Sequence, residues 1–205
     1  MKSYARNKRG MTLVEVITAV GIFVLIIGAV FTFETNIFSY NTSVTSSYQV
    51  AQDSQRILKT MLTELRESAP SATGAYALDT VGSTTLSFYS DVNNDGLTEQ
   101  ITYSLIGNTL YRASISPSGT PYTYPSANQS TTTLLTNVRN GTTTPVFEYF
   151  DTNYTGTSSP LTQPVTATSV RLIRITVILD TDPTKSPVPI TYTTEVNLRN
   201  LKSNL

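Results

Sequence analysis

The chain has 205 residues, with 14 basic and 14 acidic side chains and neither cysteine nor histidine. The missing cysteine excludes a disulfide framework and thiolate catalysis, and the missing histidine removes the usual general base and the commonest metal ligand. A neutral chain of this length has room for one domain of ordinary size and is not strongly attracted to nucleic acid, so no specific nucleic-acid partner is predicted.

Residues 11–33 form an apolar run that carries a single charge, Glu15. As a helix the run would rise about 35 Å at about 1.5 Å per residue, enough to cross a hydrocarbon core of about 30 Å. The leader before it, residues 1–10, contains Lys2, Arg6, Lys8 and Arg9. Basic residues beside a span stay cytoplasmic, so we expect a single lipid-embedded span with the C-terminal part outside that membrane.

Glu15 does not fit a plain membrane anchor. A carboxylate costs about 2.5–3.5 kcal/mol at the bilayer centre on insertion scales and somewhat less near an end. The chain supplies no partner for it nearby, so we expect its partner on another molecule.

The residues around the start of the run, RGMTLVE from Arg9 to Glu15, resemble the processing site of type IV prepilins and type II secretion pseudopilins. The resemblance implies that a prepilin peptidase cuts between Gly10 and Met11 and N-methylates Met11, while Glu15 serves assembly. It also implies other pilins or pseudopilins and an inner-membrane assembly platform as partners. Phenylalanine is the common residue after the cut, and the family also tolerates methionine there.

Three other interpretations of the run compete with this one. A cleaved secretory signal would have a shorter apolar region and a small-x-small site, which residues 33–36 do not offer. A plain single-span anchor explains the length and the leader but neither Gly10 nor Glu15. A buried core helix is least favoured, because the run exceeds ordinary core helices.

The helix is predicted to continue to about residue 68, because no proline occurs before Pro70. Its second half, residues 34–68, is amphipathic, with an apolar stripe along one face that is broken only at Gln55. The stripe residues are Val44, Tyr48, Ala51, Gln55, Leu58, Leu62 and Leu65. The opposite, solvated face holds Gln52, Asp53, Arg56, Lys59, Thr63 and Arg66. The stripe could form a coiled-coil seam with a partner, but packing on the chain's own β-rich part is favoured.

From about Leu78 the pattern becomes one of β-strands. Gly107 and Asn108 separate two alternating runs and predict a tight hairpin. The run 169–179 is apolar on both faces apart from Arg171, Arg174 and Thr176, and it predicts a central strand. Half-buried alternation in 190–198 predicts its antiparallel neighbour. The predicted strands lie within 86–89, 101–105, 109–112, 146–150, 169–179 and 190–198.

Two long polar loops, 116–132 and 151–168, have too little apolar content for a core of their own. Loops of this length are either functional surfaces or mobile, and solvated mobile loops are the default expectation.

One stretch, 91–99, has the spacing of a calcium loop. Asp91, Asn93 and Asp95 place oxygen ligands on alternate residues before a glycine, and Glu99 is the ninth position. The twelfth position is Thr102, so the usual bidentate acid is missing. The stretch predicts either a Ca²⁺ site or a plain polar turn between strands.

No catalytic motif is present, so the chain is predicted not to be an enzyme. We expect an α+β protein with four parts: the leader 1–10, an assembly helix 11–33, its continuation 34–68 and a β-rich extracytoplasmic head 69–205. The resemblance implies a structural minor pilin or pseudopilin of the larger W- or J-type, which assembles into a type IV pilus or secretion pseudopilus and could lie at its tip. The alternative is a membrane-anchored surface protein whose β domain binds a ligand.

Overall fold

The computed structural model describes residues 10–141, 143–180 and 189–198, and for residues 35–50 it describes the backbone alone. One helix, α1 (Leu13–Arg66), precedes the strands and confirms the predicted α+β class. The strands are β1 (Leu78–Val81), β2 (Thr85–Ser90), β3 (Glu99–Ile106), β4 (Thr109–Ile115), β5 (Ser130–Leu135), β6 (Phe147–Phe150), β7 (Leu172–Leu179) and β8 (Ile190–Asn197).

The chain divides into two compact units, Met1–Tyr48 and Gln49–Leu205. The first contains the segment Leu13–Glu34, which has a mean hydropathy of 2.7 and no buried residue. By length and composition it is the one helix in the described part of the chain that could cross a membrane. The boundary between the units falls inside the predicted continuation 34–68, and the four-part division proposed above stays a prediction.

In the second unit, the last turns of α1 cover a hydrophobic core with a face slightly different from the predicted one. Leu58 and Leu65 are buried as expected, but the fully buried residue between them is Met61. Leu62 is only half-buried and Gln55 is exposed, because the buried face is centred one residue away from the predicted stripe. The predicted stripe positions Val44 and Tyr48 lie among residues whose side chains are outside the described part.

The first sheet is antiparallel, with strands in the order β1-β2-β3-β4-β5. Its β3–β4 hairpin turns at Gly107 and Asn108 as predicted, and Gly107 has the positive φ of 60° that a tight turn requires. Alternation along β2 and β3 turns Leu86, Phe88 and Ile101 into the core, where each is fully buried.

The second sheet has the order β6-β7-β8, with β7 in the centre, and β7 and β8 are antiparallel as predicted. One face of β7 is apolar and fully buried through Ile173, Ile175 and Val177. The other face is polar, since Arg174 pairs with Glu195 at 2.8 Å and Glu148 at 3.4 Å on the neighbouring strands. The guanidinium also lies 4.6 Å from the centre of the Phe150 ring. Arg174 therefore joins all three strands of this sheet.

The two sheets contribute to a single hydrophobic core together with the end of α1. The backbone N–H groups of Val146 and Phe147 both donate to the Ser83 carbonyl at 3.0 Å, and the Tyr149 hydroxyl donates to the Gly82 carbonyl at 2.7 Å. These bonds fasten the start of β6 to the β1–β2 turn. Burial raises the pKa of the Tyr149 phenol well above its usual range.

Both long loops are held to the sheets by tyrosines. The Tyr124 hydroxyl donates to the Thr98 carbonyl at 2.7 Å and accepts the Ala72 N–H at 2.9 Å. The Tyr154 hydroxyl accepts from Arg174 at 2.6 Å and donates to Glu195 at 3.0 Å. The expected loop 116–132 is also too long, because β5 begins at Ser130. The default expectation of solvated, mobile loops therefore misses these anchors.

Candidate functional site

The N-terminus of α1 is closed by a reciprocal pair of hydrogen bonds between Thr12 and Glu15. The Thr12 N–H donates to the Glu15 carboxylate at 3.4 Å, and the Glu15 N–H donates to the Thr12 hydroxyl at 3.3 Å. This is a capping box, which satisfies two backbone donors that the first turn of a helix otherwise leaves unpaired. The expectation that the chain itself offers Glu15 no partner is thus incomplete. The spacing T-x-x-E was visible in the sequence and could have revealed the cap.

Gly10 and Met11, the predicted processing residues, lie in open surroundings. No atom lies within 4 Å of a Cβ built on Gly10, and Met11 is 72% exposed. A larger side chain at position 10 would therefore meet nothing in the described part of the chain. Any requirement for glycine there must come from a molecule that binds this segment.

The apolar helix segment Leu13–Glu34 needs an apolar surrounding that the described part of the chain does not supply. Large side chains along it are exposed on every side, including Leu13 at 77%, Leu25 at 74% and Phe31 at 67%. Its few hydroxyls are satisfied internally, since Thr18 donates to the Val14 and Glu15 carbonyls at 3.0 Å. A helix that is hydrophobic all round apart from Glu15 and the terminal Glu34 suits lipid or a bundle of similar helices.

The second candidate site is the loop between β2 and β3. Asp91 accepts the N–H groups of Asp95 at 3.2 Å and Gly96 at 2.9 Å, and Asn93 accepts the Asp95 N–H at 2.9 Å. The Asn93 amide donates to Asp95 at 2.9 Å and to Glu99 at 3.0 Å. The structure thus brings all four predicted ligand residues together around one turn, whereas Thr102 at the twelfth position lies within β3.

Glu99 closes this loop from the strand side and is buried, with 2% of its surface exposed. Its carboxylate accepts the Val92 N–H at 3.1 Å. Burial raises the pKa of Glu99, the neighbouring Asp95 and Asp91 carboxylates raise it further, and the bond from Val92 opposes them. Ser90 stands opposite Glu99 in the β2–β3 register, and its hydroxyl is buried with no hydrogen-bond partner in the described part of the chain.

Among the described residues, no group of three or more histidine, cysteine, aspartate or glutamate side chains is arranged to hold a metal ion. The four predicted ligand residues provide three carboxylates and one amide, and their oxygens are engaged with backbone N–H groups and the Asn93 amide. The calcium site stays a prediction.

A buried charge network, which sequence analysis missed, ties α1 to the first sheet. Glu64 on the helix receives two hydrogen bonds from Arg112 on β4, at 2.9 and 3.2 Å, and a third from the hydroxyl of Tyr103 on β3. Burial and the adjacent carboxylate raise the pKa of Tyr103 far above its usual range. Burial alone would lower the pKa of Arg112, but the hydrogen bonds and the charge of Glu64 outweigh burial and leave the pKa of Arg112 raised. The network acts as an anchor, with no open nucleophile or base for catalysis.

These features define a class of protein: a long N-terminal helix, apolar and uncovered in its first part, followed by antiparallel β-sheets. That arrangement fits a pilin-like fold. A family model supports the same assignment, because residues 5–31 match the prokaryotic N-terminal methylation motif. No curated protein matches the sequence. The match covers the residues that carry the prepilin resemblance, so the chain carries a prepilin-type N-terminal methylation motif.

Proposed function

We propose that the protein is a structural subunit, a minor pilin or minor pseudopilin, which is processed after Gly10 and assembled through its N-terminal helix. The observation that carries the proposal is the methylation motif at residues 5–31. In this proposal Met11 becomes the methylated N-terminus, and prepilin peptidase, sister pilins and the inner-membrane assembly platform are the partners. The helix Leu13–Glu34 is held first by lipid and later by neighbouring helices.

We place the protein further as a larger W- or J-type subunit, one that could lie at a filament tip. This placement rests on the chain's size, the uninterrupted α1 and the β-rich remainder without cysteine. The basic leader would lie in the cytoplasm and the β-sheets outside the membrane, before the subunit enters a pilus or pseudopilus. We propose no catalytic role. In the described part of the second unit, Arg112 and Tyr103 bind the buried Glu64, and the Val92 N–H and the Asn93 amide bind the buried Glu99.

Replacing Gly10 with valine is expected to block processing. The side chain meets nothing in the described part of the chain, so no clash is introduced there and only recognition by the peptidase is lost. Intact-mass measurement of the membrane-fraction protein should show the full-length precursor with its ten-residue leader. Gly21→Val is the matched control, because Gly21 also has no atom within 4 Å of its Cβ position and lies outside the cleavage site. Normal cleavage of Gly10→Val would refute the assigned processing site.

The alternative function, a single-span surface protein with a ligand-binding β domain, predicts a different mature protein. A plain anchor would keep the leader in the wild-type chain as well as in Gly10→Val. The same mass measurement therefore separates the two functions.

We further propose that the 91–99 loop binds Ca²⁺ with Glu99 as its last ligand, in place of the missing acid at the twelfth position. Support comes from the convergence of Asn93 and Glu99, whose side chains lie 3.0 Å apart although six residues separate them. Carboxylate and amide oxygens are the ligands Ca²⁺ prefers, and extracellular modules bind it with a Kd of about 10⁻⁴–10⁻³ M.

Calcium at ten times such a Kd should stabilise the processed, detergent-solubilised protein by about 1.4 kcal/mol. For a chain of this size that raises the Tm by roughly 3–6 °C. Asp95→Asn should abolish the rise. Asp151→Asn should retain it, because Asp151 makes a similar turn with Asn153 outside the loop. An unchanged Tm across millimolar calcium would refute the calcium site, and the loop would then be a plain polar turn.

A further inference from the structure

Two cavities in the second unit are lined by residues of α1 and share Leu134 as a wall. The arginine cavity, about 200 Å³, is lined by Arg56 and Arg112 with Ile57 and Leu134 as apolar walls. The aspartate cavity, about 150 Å³, is lined by Asp53 and Asp180 with Leu134, Leu135 and Leu179 as apolar walls. Each is smaller than the 300–1,000 Å³ typical of sites for drug-sized ligands, and each has room for a side chain.

Charges are segregated between the two cavities. Among the residues that the structure describes, no acidic residue lines the arginine cavity and no basic residue lines the aspartate cavity. Glu64 engages Arg112 through Nε and one terminal nitrogen, so the N–H groups of the other terminal nitrogen are not used by Glu64. Asp180 has a looser partner, Arg139, at 3.6 Å. The paired cavities thus present a positive end and a negative end around one leucine.

The ion pair between Asp53 and Arg56, which line the aspartate and arginine cavities respectively, can be broken at little cost in stability. Asp53 and Arg56 pair with each other at 3.7 Å, one turn apart on α1, with side chains that are 62% and 80% exposed. Exposed pairs of this kind stabilise a protein by at most about 1 kcal/mol. An acidic and a basic side chain of a bound segment could each pair with one member of this ion pair. Both would be less hydrated there, because the cavity walls are apolar.

We propose that the paired cavities bind one segment of another pilin subunit, with its Asp or Glu carboxylate in the arginine cavity and its Lys or Arg group in the aspartate cavity. The inference rests on the proposed function, because the partner is a subunit of the same filament. A segment presented in the opposite direction would place like charges together, which complementary surfaces exclude. The cavities therefore select both the partner and its direction along α1.

The test uses photo-cross-linking in cells that assemble filaments. A benzoylphenylalanine replaces Thr60 or Thr136, which are exposed residues lining the arginine and aspartate cavities respectively. Both positions should cross-link to the same pilin subunit, within one peptide that contains an acid and a base. In the charge-swap variant Asp53→Arg/Arg56→Asp the local ion pair and the net charge are kept, but each cavity then carries one charge of each sign, because Arg112 and Asp180 stay in place. The cross-link yield should then fall roughly tenfold.

The matched control is Lys59→Glu/Glu67→Lys, which exchanges charges at two exposed positions outside both cavities and should cross-link like the parent. Parent-like yield from the charge-swap variant overturns the inference. So does a parent that is present in sheared filaments but cross-links to no subunit from either position. A parent that is never found in filaments refutes the proposed function itself, and the inference falls with it.

Discussion

Replacing Arg112 with methionine is expected to lower the free energy of unfolding by about 3 kcal/mol or more. The substitution leaves Glu64 buried, with its side chain 11% exposed, and with only the Tyr103 hydroxyl as a donor. A buried carboxylate without its cation keeps the cost of desolvation and loses the compensating attraction. At roughly 2–4 °C per kcal/mol, the Tm should fall by about 6–12 °C, measured by near-ultraviolet circular dichroism of the tyrosines.

Two variants test the cause of this loss. Arg56→Met removes an arginine that is 80% exposed and should change stability by less than about 0.5 kcal/mol. The triple variant Glu64→Leu/Tyr103→Phe/Arg112→Met removes the whole network and should lie within about 1 kcal/mol of the parent, since apolar replacement of a complete buried ion pair is often neutral. If the triple variant is as unstable as Arg112→Met, lost packing explains the effect and the unpaired charge does not.

The network also shows where sequence analysis reaches its limit. Glu64 lies 39 residues from Tyr103 and 48 from Arg112, so no local pattern reveals the three as partners. On a helical wheel Glu64 counts as polar and therefore as solvent-facing, whereas the sheet supplies its cation from the core side. That long-range pairing is why the true buried face includes Met61 and Glu64 and differs from the predicted stripe.

Features set by neighbouring residues were predicted well. The β3–β4 hairpin follows from Gly107 and Asn108 between two alternating runs, and the membrane-length helix follows from the continuous apolar run. Strand β5 was missed because residues 130–133 are exposed serine and threonine, and its pairing with β4 comes from backbone hydrogen bonds. The loop anchors Tyr124 and Tyr154 could not be predicted, because their hydroxyls bond within the chain at positions that no spacing rule specifies.

The candidate processing site could likewise be predicted from the sequence, because its motif is local: a glycine, an apolar run and an acid at fixed spacing. The two cavities beside α1 could not be predicted, since they form only where the helix, β5 and the end of β7 meet. Asp53 and Arg56 were correctly placed on the solvated face of the helix. Only the tertiary structure shows that they separate a basic cavity from an acidic one.

Glu15→Val is expected to leave membrane insertion, cleavage and the β-sheets intact while reducing incorporation into filaments by roughly tenfold or more. Under the proposed function, processing creates a methylated α-amine at Met11 within a bundle of apolar helices. The carboxylate of Glu15 on a neighbouring helix can neutralise that amine. Either charge buried alone would be unfavourable by several kcal/mol, so the pair favours one axial register of the helices. A tenfold reduction in incorporation corresponds to only about 1.4 kcal/mol, well within that cost.

The capping box complicates this prediction, because Glu15→Val also removes the acceptor for the Thr12 N–H. Losing such a cap costs about 0.5–2 kcal/mol of helix stability. Two variants separate the roles. Glu15→Gln keeps a carbonyl oxygen for the cap and removes the charge, whereas Thr12→Val removes the hydroxyl that the Glu15 N–H uses and keeps the charge.

If the charge pair governs assembly, Glu15→Gln should fail like Glu15→Val, and Thr12→Val should co-assemble almost like the parent. The measurement is the amount of each variant in sheared filaments relative to its amount in the membrane fraction, after mass spectrometry has verified cleavage. Parent-like incorporation of Glu15→Gln, together with failure of Thr12→Val, would reverse the assignment. In that case Glu15 serves assembly by closing the first turn of its own helix, and the buried pair with Met11 does not form.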